Sequence, residues 1–136
     1  MTVDVCETRN TSLDKISGQL VFLNVALMAL EREQGGHLLV KQIYRSLQTV
    51  RATCHHARYS ELEVLASDLE DLVRLVSDRI VDLSRSLLTL FRSCVEAFEC
   101  GVDSLRIGVP LSYEIEEVQS ELHSRLIRLS LNASRC

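Results

Sequence analysis

Apolar residues spaced three and four apart constrain this chain more than any other feature. Leu13, Ile16, Leu20, Leu23, Leu27 and Leu30 alternate those steps without a break. Val40, Ile43, Leu47, Val50 and Cys54 form a second run, and Leu62, Leu65, Leu69, Leu72 and Val76 a third. Leu87, Phe91, Cys94 and Phe98 make a fourth, and Ile115, Val118, Leu122, Leu126 and Leu129 a fifth. An α-helix places residues at these steps on one face, whereas a strand would need a period of two. With one Pro and five Gly in 136 residues, breakers are too few for many short elements. An all-α chain is expected, with helices over 12–34, 37–57, 60–79, 84–100 and 111–131.

Punctuation residues set these boundaries. Ser12 is a candidate N-cap for the first helix. Gly35-Gly36 offers the left-handed turn that ends it. Ser60 and Glu63 have the spacing of a capping box. No Gly or Pro falls between Ser60 and Gly101, and an unbroken helix of that length is unusual in a globular domain. A turn is therefore placed near Arg79 to Leu83, with Asp82 or Ser84 capping the fourth helix and Gly101 ending it. Gly108 and Pro110 lie in the last connection. Short connections favour an antiparallel four-helix bundle from the first four helices, with the fifth packed alongside. Residues 1–11 are expected to be a loose N-terminus, 12–131 a single domain and 132–136 a tail.

Charge and cysteine usage narrow the function classes. A net charge of −4 argues against nucleic acid, which calls for a basic surface. The longest apolar run, Leu20 to Leu30, contains Asn24 and is too short to span a bilayer. The start, Met1 to Glu7, is acidic and lacks the basic segment of a secretory signal. A cytoplasmic chain that engages no membrane is expected. Cys6, Cys54, Cys94, Cys100 and Cys136 are odd in number, lack metal-knuckle spacing and read as reduced thiols. Adjacent His55 and His56 point about 100° apart on a helix, which suits them poorly to one ion. No metal and no cofactor are expected.

The polar side of the second helix is distinctive. With the apolar stripe centred near Leu47, Gln48 lies roughly 115° from that centre, on a flank facing water. Lys41, Arg45, Ala52 and His55 share its side, and no acidic residue occurs between Lys41 and Ser60. The third helix opens with the opposite sign, in Glu61, Glu63, Asp68, Glu70 and Asp71. Gln48 stands eleven residues before Tyr59 and Glu70 eleven after it. In a helical hairpin turning at Tyr59 the two lie at one height. Both are expected to be solvent-accessible and within side-chain reach. Periodicity does not fix whether they share a side; if they do, Glu70 accepts a hydrogen bond from the Gln48 amide.

Gln48-Thr49-Val50-Arg51-Ala52, led in by Ile43-Tyr44-Arg45 and followed by Glu70, resembles histidine phosphotransfer (HPt) domains. The resemblance is closest to the N-terminal domain of chemotaxis histidine kinases and covers residues 12 to 130. That family carries His-x-x-Lys-Gly on its second helix, a Glu on the third that orients the histidine, and, in the chemotaxis branch, a fifth helix. The resemblance implies a pseudo-phosphoacceptor position at Gln48, with Arg51, Ala52 and Glu70 around it. It also implies a docking face of Lys41, Tyr44, Arg45 and His55, and a response-regulator receiver domain or a histidine kinase as partner. An imidazole nitrogen has a lone pair that attacks phosphorus; a delocalised amide nitrogen does not serve. Arg51 keeps the positive charge of the family Lys, and Ala52 adds a methyl where the family has Gly. Phosphorelay binding without transfer is the expected function, and the chain is not expected to be an enzyme.

Two other readings stay open. The chain is also consistent with a helical interaction or dimerisation module that has no phosphorelay partner. Val25, Leu39, Val73, Leu75 and Leu88 lie off the main stripes and are candidates for a homodimer seam. Alternatively, phosphotransfer runs through His55 or His56, though a His near a helix C-terminus commonly serves as a dipole partner.

Overall fold

The computed structural model describes residues 5–111 and 113–134, with side chains described over 10–111 and 114–131. Five helices account for its regular structure: α1 Val5–Glu31, α2 Gly36–Ala57, α3 Ser60–Ser77, α4 Arg85–Ile107 and α5 Tyr113–Ser134. No strand occurs among the described residues. The protein is all-α, as the spacing of its apolar residues requires.

Each stripe faces inward. Leu13, Ile16, Leu23 and Leu27 of α1 are wholly buried, as are Leu47, Val50 and Cys54 of α2 and Leu62, Leu65 and Leu69 of α3. Among the described residues Phe98 is the largest fully buried side chain, and Ile115 and Leu122 anchor α5. Helix α1 packs on α2 and α4; α3 packs on α2, α4 and α5; and α4 also packs on α5. Among the described residues α1 makes no approach to α3, nor α2 to α4. Residues Asn10–Glu31 are long and apolar enough to cross a membrane by length and composition alone. That mean hydropathy reflects two apolar faces on one helix, one of them packed in the core.

The helix ends depart from the expected punctuation in instructive ways. Helix α1 spans Val5–Glu31 and runs through Ser12, so Ser12 is no cap and helix extends into what reads as a loose N-terminus. It stops at Glu31, before the glycine pair. Glu33 takes the left-handed conformation (φ 58°), and the Gln34 amide donates to the Ala29 carbonyl at 2.8 Å. Gly35 (φ 84°) instead opens α2, where an added Cβ would lie 2.6 Å from Leu39 Cδ2. Arg58 and Arg79 close α2 and α3 in the same left-handed way as Glu33, with the Tyr59 amide reaching the Cys54 carbonyl and the Ile80 amide the Leu75 carbonyl.

The capping box does not form. Tyr59 occupies the N-cap of α3 without a side-chain cap bond, and Ser60 is the first helical residue. The turn between α3 and α4 lies where it was expected, at residues 78–84, and the Ser84 hydroxyl accepts from the Leu87 amide at 3.2 Å. Gly101 does not end α4. It is buried within the helix, which continues to Ile107 and ends at left-handed Gly108 (φ 77°). Gly101 is needed for close approach: a Cβ there would stand 2.9 Å from Leu62 Cδ2 and 3.1 Å from Ile115 Cδ1. Helix α5 also runs three residues beyond its expected end, to Ser134.

Candidate functional site

Helices α2 and α3 form a hairpin about Arg58 and Tyr59. Lys41, Arg45, Gln48, Ala52 and His55 follow one another at steps of four and three along α2, and all five are exposed. Tyr44 and Arg51 sit half-buried on the side nearer α3. The residues expected to share one face of α2 therefore do so.

The relation of this face to α3 differs from expectation. Glu70 is only 5% exposed, so it is a buried carboxylate. Its partner is Arg51, one turn along from Gln48, whose Nε donates to Glu70 Oε2 at 2.5 Å. No hydrogen bond joins Gln48 to Glu70 among the described residues, so the pairing expected from equal height does not form. The physical reason is charge. A carboxylate leaving water gains more from a guanidinium than from a neutral amide, and an Arg side chain is long enough to reach across one turn. The same bond and its Coulombic attraction hold the Arg51 guanidinium above its usual pKa.

Equal distance from Tyr59 does pair residues on either side of this contact. His55 and Glu63 each stand four residues from Tyr59, and His55 Nδ1 lies 3.1 Å from Glu63 Oε2. Tyr44 and Arg74 each stand fifteen residues away. A hydrogen bond to the Tyr44 side chain raises the Arg74 pKa. Both contacts were legible in the numbering, and neither carries an apolar signal that draws the eye. Because α3 supplies acids to Arg51 and His55, the uncompensated charge of the face belongs to Lys41 and Arg45.

The other candidates disperse. Cys54 is fully buried while His55 and His56 are exposed, so the three do not converge. Burial pushes the Cys54 and Cys94 thiols up to about 12. Of the seam candidates, Val25 is exposed, Leu39, Leu75 and Leu88 are half-buried, and Val73 belongs to the core at 5% exposure. Sequence reasoning also missed two polar links within the helix pairs. Ser46 is buried and donates to Gln19 of α1 at 2.7 Å, and Asn24 donates to Glu99 of α4 at 2.5 Å.

No protein-family model matches the chain, and no curated protein matches it.

Proposed function

We propose that the chain is a degenerate HPt-type domain that binds a receiver domain or a histidine kinase without accepting phosphate. In this reading α1 to α4 form the antiparallel four-helix bundle, α5 packs alongside, and the protein works in the cytoplasm. The neighbour relations support it, since among the described residues α1 meets α2 and α4 but not α3. The observation that carries the reading is the exposed row Lys41, Arg45, Gln48, Ala52 and His55, with Gln48 at its centre. A convex helix face with a basic flank suits an acidic partner surface, where complementary charge speeds encounter and selects partners. An amide at the centre leaves that surface without a nucleophile.

The test is binding to a panel of receiver domains by calorimetry, together with incubation of the protein with phosphorylated receiver. Binding with no acid-labile phosphate on the protein is the expected result. Lys41→Glu with Arg45→Glu should weaken binding and flatten its salt dependence. Gln48→His alone should gain little phosphate, because Arg51 occupies Glu70. Adding Arg51→Lys and Ala52→Gly should raise it, since Lys is a smaller, point-like charge and Gly removes the methyl. If no receiver or kinase binds at micromolar concentration and low salt, the reading fails.

One observation favours a second reading, phosphotransfer through His55. Its ring is 70% exposed and Nδ1 faces the Glu63 carboxylate. With the proton on Nδ1, Nε2 presents a lone pair to solvent. Acid-labile phosphate that disappears in His55→Gln would establish this reading; its absence in the wild-type protein would dismiss it.

A further inference from the structure

Helix α1, with Arg32 of the turn that follows it, carries a second seam on the side away from the core. Asp14, Gly18, Val21, Val25, Met28 and Arg32 alternate steps of four and three, and all six are exposed. Val21 is 64% exposed, Val25 61% and Met28 47%. This is the spacing of a coiled-coil seam, in which knobs of one helix enter holes of another. Nothing lies within 4 Å of the Cβ position at Gly18, so the seam has an open hole at one end and a long flexible side chain, Met28, towards the other.

We propose that this seam binds a second copy of the chain, α1 against α1, antiparallel. The register follows from the residues. About a two-fold axis at the height of Leu23, Val21 faces the partner copy's Val25, Gly18 faces its Met28, and Asp14 faces its Arg32. Each layer pairs apolar with apolar, hole with knob, or acid with base. A parallel pair would set Asp14 against Asp14, Arg32 against Arg32 and glycine against glycine, leaving two repulsions and a void. Arg32 makes no ion pair among the described residues, and Asp14, though it accepts from Arg106 at 2.7 Å, is 70% exposed at the side chain. Both ends of the seam thus have capacity to spare.

The seam is short. From Asp14 to Arg32 it runs about 27 Å along the helix, which covers less than the roughly 800 Å² per partner of a standard interface. A contact of that size belongs with weak, transient interfaces.

Sedimentation equilibrium of the full chain from low to high micromolar concentration tests this. A reversible monomer–dimer equilibrium is expected. Val25→Glu should leave a monomer with unchanged circular dichroism, because Val25 is exposed and lies outside the core cluster. Arg32→Glu should weaken association about tenfold, and Asp14→Lys in the same chain should restore it, a rescue that only the antiparallel register provides. A chain that stays monomeric throughout overturns the proposal. So does a dimer indifferent to Val25→Glu, a double variant that is not rescued, or a chain that remains monomeric but binds neutral phosphatidylcholine vesicles through α1. Receiver binding is read separately on α2, so failure of either reading leaves the other standing.

Discussion

Arg51 and Glu70 meet across the α2–α3 hairpin at 2.5 Å, although Arg51 stands eight residues before Tyr59 and Glu70 eleven after it. The contact ties the exposed face of α2 to a buried acid on α3, and the two ends are unequal. Glu70 is enclosed, whereas the Arg51 side chain keeps 41% of its exposure.

That inequality predicts asymmetric mutational costs. Arg51→Met strands a buried carboxylate and should destabilise the fold by about 2 kcal/mol, below the buried-pair range because water still reaches Arg51. Glu70→Met should cost less, since Arg51 swings into solvent. The double variant should recover part of the Arg51→Met loss. Urea unfolding of all three, read as a double-mutant cycle, measures it.

Arg58 and Arg79 adopt left-handed backbone conformations, with φ 63° and 61°. Strain at such residues is about 1–2 kcal/mol, partly offset by the greater freedom glycine has when unfolded. Arg58→Gly and Arg79→Gly should each stabilise by roughly 0.5–1 kcal/mol. Thermal unfolding should show a higher Tm for each variant, and a lower one would contradict the cap geometry.

Two glycines inside helices should respond oppositely to one substitution. Gly18→Ala meets nothing within 4 Å and should gain nearly the full helix-propensity difference, about 1 kcal/mol. Gly101→Ala gains the same propensity but presses on Leu62 and Ile115, both buried, and should come out at or below wild type. Chemical denaturation at low micromolar protein compares them.

The buried thiols give a pH dependence. Cys54 and Cys94 stand at about 12 in the fold because burial penalises their thiolates, against 9.0 for a free thiol. The unfolded chain therefore loses these protons first as pH rises. Their stabilising contribution is complete below about pH 9 and is lost as the pH climbs towards 12. Stability measured by urea titration should fall over that window, and less steeply in Cys54→Ala with Cys94→Ala. Under native conditions an alkylating reagent should mark Cys100, which is exposed, well before Cys54 or Cys94.

The sequence by itself determined the helices and their inward faces. Leu13, Leu47, Leu69 and Phe98 are buried where their spacing puts them, because a period of 3.6 is a property of each helix alone. It also determined the row from Lys41 to His55, which is one side of one helix. The helix ends were less legible. The Ser12 and Gly101 positions read as punctuation, yet both helices continue through them. At Gly101 the close packing on Leu62 and Ile115 outweighs a local propensity of about 1 kcal/mol.

Tertiary structure alone decided which side chain Glu70 would take. Periodicity fixes the height of a residue in a hairpin, and height correctly joins His55 to Glu63. It does not fix reach or charge, and a buried carboxylate draws the nearest guanidinium in preference to an amide at its own level. Gly101 makes the same point for packing. Its role lies in the approach of Leu62 and Ile115, side chains far away in the chain whose meeting only the assembled helices bring about.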